Sequence, residues 1–216
     1  MSKYAPHLAV VIMGDVGVGK EALAERFSPN DVHDPTYDGT HMARIDVDGS
    51  PCVLNIERCG GKEFIVVRDL LIRHADVFIL AYSVTSRTSF SYIRALDNHI
   101  KETEERLRAD GIIKLCKSPV IFVGTKNDLE AQREVSVEEG QMLAKSLNCP
   151  FIETSAKHNT NVKNLFHEAV RCFRQQNPPT PSEPETPTPS RSRKGLGRLL
   201  GPRQRNNDNG PRCIVM

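Results

Sequence analysis

The sequence predicts an α/β fold, a mainly parallel sheet with helices on both faces. Short apolar runs alternate with longer stretches of helical periodicity, the pattern of strand–helix–strand units. The first apolar run breaks into a glycine loop that ends in lysine, and a helix follows at once. Two later strands end in short polar segments, Thr125-Lys126-Asn127-Asp128 and Thr154-Ser155-Ala156-Lys157. Ligands in such sheets bind beyond the carboxyl ends of the strands.

Taken in order, residues 8–13 are apolar throughout and read as a buried strand, and residues 21–27 read as the first helix. A polar link, 28–40, leads to two β-rich segments, 41–48 and 51–57, joined by Asp48-Gly49-Ser50. Asp-Gly between alternating runs marks a hairpin. Cys59-Gly60-Gly61 reads as a break before a helical stretch, 63–74, and residues 76–84 form the next buried strand. Residues 89–108 predict a long amphipathic helix with Ile93, Leu96, Ile100 and Leu107 on one face and a solvated charged face over 101–108. Strand 119–124 follows, then helix 137–147 with Ser136 as its cap and Glu139 three residues on, strand 150–154 and helix 162–175. From Asn177 the character changes: six prolines fall between 178 and 189, and a basic, glycine-containing stretch runs to Arg212. Such a segment cannot bury a core and is expected to be extended or disordered. The expected organisation is a globular domain over 1–176, a tail over 177–212 and a four-residue terminal motif over 213–216.

The bulk numbers set limits. The net charge of +2 divides into a body of −2 and a tail of +4, so the body is no nucleic-acid binder by charge. No run approaches a membrane-spanning length, and residues 1–6 do not form a signal peptide. The six cysteines show no metal-type pairing; five read as scattered small hydrophobes in a reducing compartment.

Chemistry concentrates at three strand ends. Gly14, Gly17 and Gly19 let the backbone of the loop, Val16 and Val18 included, fold its N–H groups around a polyphosphate. The following helix N-terminus adds partial positive charge and Lys20 a full one. The motif calls for Ser or Thr after the lysine to ligate Mg²⁺, and here the residue is Glu21. Asp128 can accept hydrogen bonds from the N1–H and amino group of guanine, a donor pair adenine lacks, while the Lys126 stem lies along the base plane. Backbone N–H groups in the 154–157 loop can meet the guanine O6.

Together and in this order, the three segments resemble the Ras-type small GTPases over residues 8–176. The resemblance implies the P-loop NTPase G-domain, six strands with one antiparallel edge strand, and five helices. It implies GTP and GDP as ligands, with Lys126 and Asp128 reading guanine, Thr125 standing where Asn is usual, and Ser155, Ala156 and Lys157 completing the base pocket. Asp34-Pro35-Thr36 resembles the first switch, whose threonine reports the γ-phosphate and Mg²⁺, and Gly61 falls at the phosphate-facing glycine of the second.

The departures cluster at the metal and the water. The family's second switch reads Asp-Thr-Ala-Gly-Gln; here it is Arg58-Cys59-Gly60-Gly61-Lys62. The metal-side aspartate has become Arg58, and Lys62 stands at the water-positioning site. Val16 occupies the place of a glycine packed against the γ-phosphate. These changes predict slow or absent hydrolysis and leave the Mg²⁺ requirement open: Thr36 keeps the family's metal position, Glu21 does not. Glu21 and Arg58 face each other across the family's metal site, and a carboxylate–guanidinium pair there, with Arg58 also touching phosphate oxygens in place of Mg²⁺, is one reading; decay of an unused site is the other.

Cys213-Ile214-Val215-Met216 is a C-a-a-X box of the farnesyl type. One prenyl chain holds a membrane marginally, and seven basic residues in the tail can add attraction to anionic lipids. The expectation is a lipid-anchored signalling switch at the cytoplasmic face of a membrane, first of all the plasma membrane, with effectors and exchange factors not specified. A pseudo-GTPase scaffold is the alternative. A P-loop kinase or ATPase is disfavoured by the two base-reading segments and by the lack of an arginine-rich lid.

Overall fold

A computed structural model describes residues 5–28, 41–60, 65–112 and 118–178. Six strands and five α-helices occur among them: β1 (His7–Gly14), α1 (Lys20–Phe27), β2 (His41–Val47), β3 (Ser50–Gly60), α2 (Ile65–His74), β4 (Val77–Ser83), α3 (Arg87–Ala109), β5 (Val120–Thr125), α4 (Val137–Leu147), β6 (Phe151–Glu153) and α5 (Val162–Gln176). The sheet order is β2-β3-β1-β4-β5-β6, with only the β2–β3 pair antiparallel. The P-loop NTPase topology is therefore as expected, antiparallel edge strand included. Strand order reverses beside β1, which places its carboxyl end at the crevice where such sheets bind ligands.

The period-2 alternation of the central strands divides the core. Val10 and Ile12 of β1, Ile79 of β4 and Val123 of β5 face α1 and α5, where Leu23, Leu165, Phe166 and Val170 close over them. Val11, Met13, Phe78, Leu80 and Phe122 face the other way, beneath Ile72 of α2, Ile93, Leu96 and Ile100 of α3, and Leu143 of α4. Both faces are dry, so β1 is apolar from Leu8 onward and β4 is apolar until Tyr82 and Ser83 at its end.

Local signals explain the element ends. Ser136 and Glu139 form a reciprocal capping box: the Glu139 N–H donates to Ser136 Oγ at 3.2 Å and the Ser136 N–H to Glu139 Oε2 at 3.0 Å. Asp48 and Gly49 take φ values of 54° and 77° in the β2–β3 turn, the left-handed pair that matches the twist of a hairpin. α5 grips that turn: Arg171 Nε and Nη2 donate to the two Asp48 carboxylate oxygens at 2.9 and 2.8 Å. Arg174 donates to the Val47 and Ser50 carbonyls at 2.7 and 2.9 Å.

Two expectations need correction. β3 does not break at Cys59-Gly60; it continues through Gly60, paired in parallel with β1 at Arg58↔Ile12, Cys59↔Met13 and Gly60↔Gly14. Glycine weakens a strand, but an adjacent strand of matching length overrides the local preference. The charged end of α3 is not wholly solvated either. Glu104 is buried, accepts the Ser118 N–H at 3.1 Å and lies 3.9 Å from Arg108, while Leu107 is only half-buried.

Candidate functional site

The phosphate loop hangs between the carboxyl end of β1 and the start of α1. Gly14 has no room for a side chain, because a Cβ there would run into the carbonyl oxygen of Ala81 on β4. Gly19, with φ of 96°, takes the left-handed conformation glycine adopts without strain. No side chain caps α1, so its first N–H groups suit an anion. Val18 is buried beneath the loop, while Val16 is 75% exposed at its tip. Lys20 Nζ donates to the Gly14 and Asp15 carbonyls at 3.1 and 2.6 Å. Burial pushes the Lys20 pKa down; Cys59 and Asp15 pull it back up, and Arg58 adds to the depression.

The base-reading segments are tied to this loop directly. The Thr125 hydroxyl is buried 2.5 Å from the Val18 carbonyl and 2.8 Å from that of Tyr82, sharing its proton between them. Thr125 thus clamps the phosphate loop to β4 and β5. Lys126, at φ of 60°, sends its Nζ to the Gly17 carbonyl at 2.7 Å. The Asn127 N–H reaches the Thr154 carbonyl at 3.1 Å. Ser155, fully buried, accepts the His158 N–H at 3.1 Å, and its hydroxyl hydrogen-bonds the Asp128 carboxylate. That bond holds Asp128 below the usual carboxylate range, so it stays an acceptor. Arg26 of α1 holds the third segment, donating to the Ala156 carbonyl at 2.6 Å and the Lys157 carbonyl at 3.0 Å. A 240 Å³ pocket lies where the three segments meet, lined by Gly19, Ala22, Thr125, Lys126, Asp128 and Ala156 among others. Larger concavities of 480 Å³ outside Arg26 and 450 Å³ between α3 and α4 are not lined by the phosphate loop.

On the metal side, Glu21 and Arg58 form an ion pair. The other Glu21 oxygen lies 3.1 Å from Nε2 of His41, the buried first residue of β2. Burial lowers the Arg58 pKa from its ordinary value. A Cβ on Gly60 would lie 2.6 Å from Lys20 Nζ, so the end of β3 runs directly beside the phosphate-loop lysine. These residues do not fit Mg²⁺, a hard cation that needs oxygen donors in a near-octahedral set. Among the described residues, the Glu21 carboxylate here is committed to a guanidinium and an imidazole. Among the described residues no group of three His, Cys, Asp or Glu side chains could hold a metal ion.

Of the predicted site residues, Gly14, Val16, Gly17, Val18, Gly19, Lys20, Glu21, Thr125, Lys126, Asp128, Ser155, Ala156 and Lys157 gather at this end of the sheet. Thr36, Gly61, Lys62, Cys213 and the tail lie outside the described residues. Sequence reasoning missed Arg26 and the place of His41 beside Glu21. Only the tertiary fold makes these contacts, bringing Arg26 to carbonyls 130 and 131 residues away.

The sequence model of the Ras family matches residues 9–175. Among similar proteins, the chain is 37% identical over 185 positions to Ras-like protein B of Aspergillus fumigatus, covering 77% of each chain. It is 34% identical over 201 positions to Protein ras-2 of Neurospora crassa, covering 86% of this chain and 87% of that one. It is 39% identical over 166 positions to Ras-like protein rasS of Dictyostelium discoideum, covering 75% and 81%. The chain belongs to the Ras family, and guanine nucleotide is the ligand that membership implies.

Proposed function

We propose that this Ras-like GTP-binding protein is a signalling switch with slow or lost hydrolysis, held at the cytoplasmic face of a membrane. The observation that carries the nucleotide part is the joining of the three loops around one pocket by Thr125, Lys126, Ser155 and Arg26. In this arrangement the loop N–H groups and Lys20 bind the phosphates. Asp128 and the 155–157 backbone orient the base.

Phosphoryl transfer depends on positioning and charge neutralisation. Lys62 stands where a glutamine would orient water, Val16 crowds the mouth of the loop, and the Glu21–Arg58 pair fills the metal side. These residues support nucleotide binding without efficient turnover. A single-turnover assay on GTP-loaded protein tests this, with little phosphate release expected. Release as fast as from a parallel Ras protein with its Ser, Asp and Gln intact overturns it.

Cys213 supports farnesylation, and the basic tail supports a second, electrostatic signal of up to ~1 kcal/mol per Lys or Arg near an anionic leaflet. Cys213→Ser is expected to move the protein from the membrane to the soluble fraction in cells; unchanged membrane recovery contradicts the anchor. The same Glu21–Arg58 pair also supports a second reading, a pseudo-GTPase scaffold that holds nucleotide statically or not at all. Nucleotide content after purification and its exchange rate separate the two.

A further inference from the structure

A guanine nucleotide brings several negative charges to the phosphate loop. Lys20 answers one of them, and the loop N–H groups supply partial charges. A carboxylate at the first position after the lysine adds a negative charge in the worst place, unless something cancels it. Arg58 does so. β3 continues in register with β1 through Arg58↔Ile12 to Gly60↔Gly14, which carries the guanidinium up to Glu21 and the strand end up to Lys20 Nζ. Arg58 is near enough to Lys20 to help depress its pKa.

The geometry of the cluster is ordered. Glu21 Oε2 serves Arg58, and Oε1 serves His41 at 3.1 Å. His41 is buried at the start of β2, so the carboxylate is fixed from the edge strand and in turn fixes the guanidinium. A guanidinium is a planar fork of N–H donors whose geometry suits phosphate oxygens. We propose that Arg58, positioned by Glu21 and His41, is a built-in counter-ion for the nucleotide's phosphates and takes the place of a divalent metal, so that guanine nucleotide binding is metal-independent. The inference rests on the guanine-nucleotide reading above.

A guanidinium fixed to the protein cannot be stripped by a chelator, so binding is expected to be indifferent to EDTA.

The test is equilibrium binding of fluorescent GDP to the full-length chain, in excess Mg²⁺ and in EDTA. The dissociation constants should agree within about threefold. Arg58→Ala should weaken binding about tenfold or more in both buffers, as loss of a charge-assisted phosphate contact does. Arg58→Lys, which keeps the charge and loses the fork, should lie between the two and stay chelator-insensitive. The double variant Glu21→Ser, Arg58→Asp should become Mg²⁺-dependent. Thermal melts confirm that each variant is folded, and Arg58→Lys carries the test if Arg58→Ala is not. Wild-type binding that falls more than about tenfold in EDTA overturns the inference and leaves the nucleotide reading intact. Unchanged affinity in a folded Arg58→Ala or Arg58→Lys also overturns it. No binding in either buffer overturns both.

Discussion

Lys126 Nζ donates to the Gly17 carbonyl oxygen at 2.7 Å, joining the base-reading loop to the phosphate loop across 109 residues of sequence. The bond makes the two halves of the nucleotide site one object. On the proposed reading the Lys126 stem lies beside the base, and it ends in this tether. Lys126→Met keeps most of the apolar stem and removes the tether. GDP affinity should fall about tenfold, in line with ~1.5–3 kcal/mol for a hydrogen bond to a charged group, and mainly through faster dissociation. Stopped-flow displacement of fluorescent GDP measures this directly.

On the proposed reading, base identity rests on Asp128. Replacing its carboxylate with an amide by Asp128→Asn puts a donor where guanine also offers donors. GDP binding should fall about a hundredfold, two charge-assisted hydrogen bonds being at stake at ~1.5–3 kcal/mol each. Xanthosine diphosphate, which carries a carbonyl at that edge, should gain. Competition of the two nucleotides against the fluorescent probe gives the ratio.

Arg26 is not among the residues that line the pocket where the three segments meet. It donates to the Ala156 and Lys157 carbonyls from an exposed position on α1. Arg26→Ala should speed GDP release several-fold with little change in melting temperature, since two exposed hydrogen bonds contribute about 1 kcal/mol each at most. An equal loss of stability and affinity would place the residue in the core architecture instead.

Gly140→Ala offers a test of sign. Inside a helix, alanine normally stabilises relative to glycine by about 0.5–1 kcal/mol. Here a Cβ would meet the Phe151 ring and lie 2.9 Å from the Tyr82 hydroxyl. Overpacking of that kind costs roughly 1–3 kcal/mol, so the variant should melt lower than wild type.

The cap of α4 is pH-sensitive. Hydrogen bonds from Arg87 and from the Ser136 N–H lower the Glu139 pKa from 4.5 to about 2. A depressed carboxylate contributes stability above its unfolded pKa and loses it as pH falls through the folded one. Glu139→Gln keeps the capping geometry and removes the charge. The difference in melting temperature between wild type and variant should be full at pH 6 and shrink as pH falls from about 4.5 towards 2.

Much of this was legible in the residues. The bounds of α4 follow from its capping box at one end and Asn148, at φ of 56°, at the other. The β2–β3 turn was announced by Asp48-Gly49, and the phosphate loop by its glycines and lysine. The extension of β3 was hidden because Cys59-Gly60 carries a break signal locally and acquires its pairing only from β1. Glu104 looked like surface because its partner, the Ser118 N–H, lies beyond the helix end. The Glu21–Arg58 pair could be anticipated from a carboxylate gained at one position and an acid replaced by a base at the other. The third member, His41, could not, since nothing in its neighbourhood distinguishes it from any strand-opening histidine.

β2 has a consequence for how the molecule bears load. Its turn is gripped by Arg171 and Arg174 of α5, and its first residue is bonded to Glu21 beside the phosphate loop. An edge strand fastened at both ends has no slack in which to slip by a residue. A shift in that strand would be felt by the carboxylate at its far end.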